Sequence, residues 1–133
     1  MDKAVYEQPA AAGFRSMIRG RIQLARSALI NPKSINDEAV HTARKNLKSA
    51  RAGLRLLRAT VGTRRYSIEN TRLRDAARSI SSIRDATVML ETAGRLLKNE
   101  KNPRLYKFLL NVARLLRQER SRVCSEFCST VGL

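Results

Sequence analysis

The chain has 133 residues and a formal net charge of +16, because 27 Lys and Arg residues outnumber 11 Asp and Glu residues. This length and a hydrophobic fraction of 43% suit one domain with a modest core, while the lack of Trp and only 5% aromatic residues favour an all-α fold and disfavour sequence-specific binding of single-stranded nucleic acid. Self-repulsion between so many cations indicates a polyanionic partner, such as nucleic acid, an anionic membrane surface or a phosphate polymer.

The absence of targeting signals and the small number of cysteines indicate the cellular compartment and the redox state of the thiols. The sequence has no signal-peptide pattern and no apolar run near the roughly 20 residues that span a bilayer, so we expect a soluble cytoplasmic protein. Cys124 and Cys128 share one face of a predicted helix. Since no second cysteine pair or histidine cluster accompanies them, we expect two reduced core thiols, no metal site and no cofactor.

The chain opens with residues 1–12, MDKAVYEQPAAA, which lack hydrophobic periodicity and contain Pro9. We expect them to be a poorly ordered leader before one bundle domain over residues 13–133. The first predicted helix covers about 13–30 and ends before Pro32, because proline cannot continue the helical hydrogen bonds. Its apolar stripe consists of Phe14, Ile18, Ala25 and Leu29, and its basic face consists of Arg15, Arg19 and Arg26.

The second predicted helix, residues 37–61, has features of both a core helix and a charged surface. Its apolar positions recur every three or four residues, which keeps one stripe facing neighbouring helices: Val40, Ala43, Leu47, Ala50, Leu54, Leu57 and Val61. Beside this stripe runs a cationic edge without acids, made of His41, Arg44, Lys45, Lys48, Arg51, Arg55 and Arg58. The edge would extend about 25 Å at about 1.5 Å per residue, enough to meet several charges on a linear polyanion.

The second half of the sequence predicts two more helices. Gly62 and the polar segment TRRYSIEN predict a loop, after which a third helix runs to about Lys98. Its seam repeats by seven residues, with three-four alternation, at Leu73, Ile80, Ile83, Thr87, Leu90, Gly94 and Leu97. A turn at NEKNP precedes a fourth helix, whose inner side is Tyr106, Leu109, Val112, Ala113, Leu116, Val123 and Phe127. Short connections between four helices predict an up-and-down four-helix bundle.

Two spaced motifs carry a family resemblance. The string H-T-A-R-K-N-L-K-S-A-R, residues 41–51, resembles the signature helix of the CHAD family, the conserved histidine α-helical domain. The string SIRDATV, residues 82–88, is similar to that family's Arg-Asp-x-x-Val element. The resemblance implies a basic helical domain that binds inorganic polyphosphate and is often located on polyphosphate granules. It is this resemblance, rather than composition, that selects polyphosphate among the polyanions.

The resemblance covers roughly residue 14 to the end, yet a usual CHAD domain is about twice as long. It contains two four-helix halves related by a pseudo-two-fold axis, and this chain resembles one half. The chain is therefore either a fragment or a natural half-length form, whose two copies would restore the symmetry across an isologous interface. We favour the homodimer.

Carried over position by position, the resemblance implies a polyphosphate-binding set of His41, Arg44, Lys45, Lys48, Arg51 and, on the third helix, Arg84. Charge position alone adds Arg15, Arg19 and Arg55. Asp85 cannot pair with its neighbour Arg84, because adjacent helical residues point about 100° apart. We expect Asp85 to orient a basic side chain from another helix.

Two rival functions remain open at this point. A basic helical bundle could bind nucleic acid non-specifically through the phosphodiester backbone. An enzyme that acts on phosphate chains would need a base or metal ligands beside the reacting group. The only adjacent acidic pair, Asp37 and Glu38, fits the first turn of a helix, where it complements the helix dipole. We therefore expect a non-enzymatic binding protein.

Overall fold

The computed structural model describes residues 3–132, with side chains over residues 11–31 and 33–132. These residues are helical with short connections and contain no strand, so the all-α prediction is confirmed for them. The elements are α1 (Lys3–Leu29), a 3₁₀ turn (Pro32–Ser34), α2 (Asp37–Leu56), α3 (Arg58–Val61), α4 (Thr63–Asn99) and α5 (Pro103–Thr130). Within residues 3–132, none of the helices combines the length and apolar character needed to cross a membrane.

Helices α1 and α2 form a closely packed antiparallel pair. A Cβ atom at Gly53 of α2 would lie 2.7 Å from Met17 Cε and 2.9 Å from Ile18 Cγ1 of α1, so the glycine permits the close approach. Further along, Arg21 of α1 donates a hydrogen bond to the Oδ1 atom of Asn46 at 3.1 Å. Residue numbers rise on α1 as they fall on α2, which defines the antiparallel arrangement.

Helices α4 and α5 form a longer antiparallel hairpin. Arg72, near the start of α4, donates to the carbonyl oxygen of Thr130 at the end of α5 at 3.0 Å. At the other end, Asn102 caps α5 by accepting from the backbone N–H of Arg104 at 3.0 Å. The first part of α4 therefore lies beside the last part of α5.

The core lies where all four long helices meet. Its fully buried large side chains include Leu29, Leu47, Ile80, Ile83 and Phe127. On α4 the core cluster ends at Ile83, and on α5 it begins again at Val123. We call residues 11–83 and 119–132 the proximal half. The rest of the hairpin, residues 84–118, is the distal arm, where α4 and α5 pack on each other through small buried residues such as Ala93 and Ala113.

Two helix boundaries predicted from the sequence are wrong. α1 begins at Lys3 instead of near residue 13, because the alanine run favours a helix and Ala11 packs in the core. The predicted division at residue 12 therefore coincides with no helix boundary, while residues 1, 2 and 133 lie outside the described residues. The predicted loop after Gly62 is absent from the described structure, since α4 begins at Thr63.

The predicted count of four helices also needs correction. The second predicted helix breaks at Leu57 into α2 and the short α3, so the described residues form five helices. Gly62 then reverses the chain with a φ of 85°, a conformation that favours glycine. The guanidinium of Arg58 lies 5.0 Å from the ring centroid of Tyr66, and Tyr66 packs against the core cluster. These contacts let helix α4 start within the polar segment.

Candidate functional site

A groove of about 730 Å³ runs between α2 and the first part of α4. Basic and histidine side chains of α2 form one wall: His41, Arg44, Lys45, Lys48, Arg51 and Arg55. The opposite wall is made of small or apolar residues of α4, namely Ala77, Ile80 and Ser81. The groove therefore has one cationic side and one neutral side.

The folding of α2 explains why its cations share one wall. The Asn36 side chain caps the helix by accepting from the N–H of Ala39 at 2.8 Å. The predicted apolar stripe is buried from Val40 to Leu57, and Val61 packs partly buried against it. Burial of the stripe fixes the rotation of α2, which places the cationic edge at the mouth of the groove.

No acidic side chain among those that the structure describes lines the groove. The salt bridges between described residues lie on α4 and α5 and join Arg72 to Glu69, Arg74 to Asp75, and Arg122 to both Glu119 and Glu126. None of these involves a groove cation. Arg51 is partly buried, and its Nε atom is buried without an acceptor among the described residues. Because a buried donor requires a partner, this N–H can donate to an oxygen atom of water or of an anion in the groove.

Two predicted site residues on α4 lie outside the groove lining. Arg84 is exposed and follows Ser81 by three residues, which places it on the same face one turn further along α4. Asp85 is exposed, and among the described residues no salt bridge joins it to a basic side chain. The salt bridge between the adjacent residues Arg74 and Asp75, at 3.6 Å, shows that the premise against pairing of helical neighbours is wrong for this helix. The predicted role of Asp85 in orienting a basic side chain from another helix stays a prediction.

The structure does not bring Arg15 and Arg19 to the α2–α4 groove. They line a separate pocket of about 340 Å³ between α1, α4 and the end of the chain, together with Arg65 and Arg72. Glu69 also lines this pocket and pairs with Arg72 at 3.0 Å. The single basic surface expected over three helices is therefore divided in two, because helical charge position alone does not say on which side of α2 the helix α1 packs.

Sequence reasoning missed the neutral wall of the groove and a buried polar contact behind it. Asn46 is 5% exposed; it accepts from Arg21 and donates to the carbonyl oxygen of Thr42 at 2.9 Å. The available signal was its position, three residues after Ala43 and four before Ala50 on the buried stripe. A polar residue at such a position usually has a specific partner.

The two cysteines, expected to be reduced core thiols, are both free. Cys124 is buried and Cys128 is partly buried. Burial raises the pKa of the Cys124 thiol to about 11, so this thiol stays protonated near neutral pH and is a poor nucleophile. Among the side chains described over residues 11–31 and 33–132, no three from His, Cys, Asp or Glu come together to hold a metal ion.

Comparison with known protein families identifies the family of this chain. The family model of the CHAD domain matches residues 20–131. The chain belongs to the CHAD family. CHAD domains are associated in general with polyphosphate binding. The match contains every residue of the α2–α4 groove, whereas Arg15 and Arg19 precede it. No curated protein and no solved structure matches the chain.

Proposed function

We propose that this CHAD domain binds inorganic polyphosphate in the α2–α4 groove. The observation that carries the proposal is the row of six basic or histidine side chains, none of which forms a salt bridge with a carboxylate of the described residues. From His41 to Arg55 the row extends about 21 Å at about 1.5 Å per residue. A linear chain of phosphates could therefore lie along it and be held at several points.

Arginine, lysine and the small residues of the groove would contribute differently to binding of such a chain. The guanidinium groups of Arg44, Arg51 and Arg55 can each donate two parallel hydrogen bonds to phosphate oxygens. Lys45 and Lys48 add mobile point charges that follow an irregular polymer. On the opposite wall, small residues such as Ala77 leave room for the phosphate backbone.

The groove supports binding without turnover. Cleavage of a phosphoanhydride requires a base or metal ligands beside the reacting phosphorus; among the described side chains that line the groove, His41 could serve as a base, but no carboxylate is present to serve in either role. We expect no orthophosphate release when the protein is incubated with polyphosphate and a divalent metal. Release above that of a protein-free control would contradict this part of the proposal.

Competition between polyphosphate and duplex DNA tests the choice of polymer. Both should be compared at matched phosphate concentration and at about 0.15 M salt, where exposed charges are screened beyond about 8 Å. We expect polyphosphate to compete more strongly, because a single phosphate chain can enter between α2 and α4 while a duplex meets only the rim. Equal or stronger competition by DNA would instead indicate a non-specific nucleic-acid-binding protein.

The same binding would place the protein on cytoplasmic polyphosphate granules. A fluorescently tagged chain should then concentrate on granules stained for polyphosphate, and a tagged variant with glutamates at Arg44 and Lys48 should not. Identical localisation of the two would separate granule association from the groove.

A further inference from the structure

The distal arm displays apolar side chains that soluble helices normally bury. Among the described residues, most of the large apolar side chains that are exposed lie on this arm. Phe108 is 63% exposed, Met89 54% and Leu115 52%, and Leu96 and Leu105 are about half exposed. Single exposed leucines are common on protein surfaces, whereas a contiguous apolar patch marks an interaction site.

Helix geometry places these five side chains on one side of the α4–α5 hairpin. On α5, Leu105, Phe108 and Leu115 follow the three-and-four spacing of one helical stripe, with the partly buried Val112 between them. On α4, Met89 and Leu96 are seven residues apart and share a face. Each row lies about a quarter turn from the buried face of its own helix, in the same rotational sense. In an antiparallel pair, this places both rows on one side of the hairpin.

Charged side chains border the patch. Glu119 follows Leu115 by four residues on the same face of α5. Arg122 forms salt bridges with Glu119 at 2.6 Å and with Glu126 at 2.7 Å. On α4, the exposed carboxylate of Asp85 precedes Met89 by four residues. On the other edge, Arg104, Lys107 and Arg114 lie beside Phe108, so the border of the patch carries charges of both signs. None of the five patch residues lines the α2–α4 groove.

We propose that the patch is the interface through which two copies of this chain form a two-fold dimer. Large apolar side chains about half exposed each offer on the order of 100 Å². Five of them on each of two copies would bury roughly 1,000 Å², near the lower limit of specific interfaces. A two-fold axis uses the same patch on both chains, so two hairpins pair as a four-helix arrangement and both grooves stay open.

The salt dependence of this dimer differs from that of polyphosphate binding. Each chain carries a formal charge of +16, so repulsion between two copies opposes pairing and weakens when salt screens it. Added salt therefore tightens the dimer, while it loosens a complex with a polyanion. Association measured without polyphosphate tests the interface independently of the proposed function.

Sedimentation equilibrium of the 133-residue chain and matched variants, without polyphosphate, tests the proposal. We expect a wild-type dimer whose dissociation constant rises about a hundredfold or more in Leu115→Glu, because symmetry places the substitution twice in the interface. Leu24→Glu alters a leucine that is 53% exposed on α1, outside the arm, and should leave the dimer unchanged. Phe108→Ala, which adds no charge, should weaken it at least about tenfold. Helix content measured by circular dichroism confirms that each variant is folded.

Several results would overturn the interface. These are a wild-type chain that stays monomeric at every concentration, a dimer that Leu115→Glu and Phe108→Ala leave intact, or equal weakening by Leu24→Glu. Cosedimentation of a monomeric chain with phosphatidylglycerol vesicles, abolished by Leu115→Glu, would assign the patch to a membrane and also reject the dimer.

Discussion

The proximal half and the distal arm are built from the same two helices, yet they distribute apolar residues in opposite ways. In the proximal half, α4 and α5 place large side chains such as Ile80, Ile83 and Phe127 in the core. In the distal arm, small residues such as Ala93 and Ala113 are buried while Phe108 is exposed.

The difference follows from helix length. With 20 residues, α2 extends about 30 Å, whereas α4 with 37 residues extends about 55 Å. The layer of α1 and α2 therefore covers only part of the α4–α5 hairpin. Where that layer is present, the structure has a core and a cationic groove. Where it is absent, large apolar side chains of the hairpin stay exposed.

The largest expected contrast is between two phenylalanines of α5. Phe127→Ala removes a fully buried ring and should lower the free energy of unfolding by about 3–5 kcal/mol, through lost burial and the cavity left behind. Phe108→Ala should lower it by less than about 1 kcal/mol, because most of that ring is already in water. Urea denaturation at low protein concentration, followed by circular dichroism, measures both. Equal losses would mean that the arm has a core of its own.

A smaller contrast separates two helical glycines. Gly53→Ala would place a Cβ against the stiff Ile18 side chain, and overpacking of about 1–3 kcal/mol should exceed the helix-propensity gain of about 1 kcal/mol. Gly94→Ala on the arm meets nothing within 4 Å and should stabilise the fold by up to about 1 kcal/mol. Thermal unfolding of both variants compares the signs. Stabilisation by Gly53→Ala would show that α1 and α2 are less tightly packed than described.

The smallest expected effect tests whether the two regions are independent. Because burial raises the pKa of the Cys124 thiol to about 11, alkylation of this thiol near neutral pH should be slow and should report opening of the proximal half. Leu96→Glu on the arm should leave that labelling rate unchanged. Mass spectrometry of iodoacetamide-treated protein measures the rate at each cysteine. Faster labelling of Cys124 in Leu96→Glu would show that the arm supports the core.

The sequence predicted the strongly periodic parts of the fold. The stripe of α2 from Val40 to Leu57 is buried as predicted. Apolar residues spaced by three and four fall on a single face only if the segment is an α-helix, so the spacing predicts both the helix and its buried face. The start of α4 at Thr63 was missed, because TRRYSIEN is polar and the packing of Tyr66 against the core cluster cannot be read from the segment itself. Tyr106 was expected to be buried but is exposed, because periodicity does not reveal that the arm lacks a covering layer.

The candidate site was predictable on one wall only. The α2 cations could be identified because they share a helical edge, which is a local property of the sequence. The opposite wall, with Ala77 and Ser81, depends on how α4 packs against α2, and such neutral residues carry no signal of their own. Arg15 and Arg19 line a different pocket for the same reason, since tertiary packing decides which groove a basic residue faces.

The most direct test of the central claim compares two exposed lysines, Lys48 in the groove and Lys107 on the distal arm. Replacement of either by Glu changes the formal charge equally, from +16 to +14, since one cation becomes one anion. Calorimetric titration should show polyphosphate affinity about a hundredfold weaker for Lys48→Glu, because a charged contact of about 3 kcal/mol is lost. For Lys107→Glu we expect a change of no more than about threefold at about 0.15 M salt, where distant charges are screened. Equal weakening by the two variants would contradict the groove and assign binding to net charge alone.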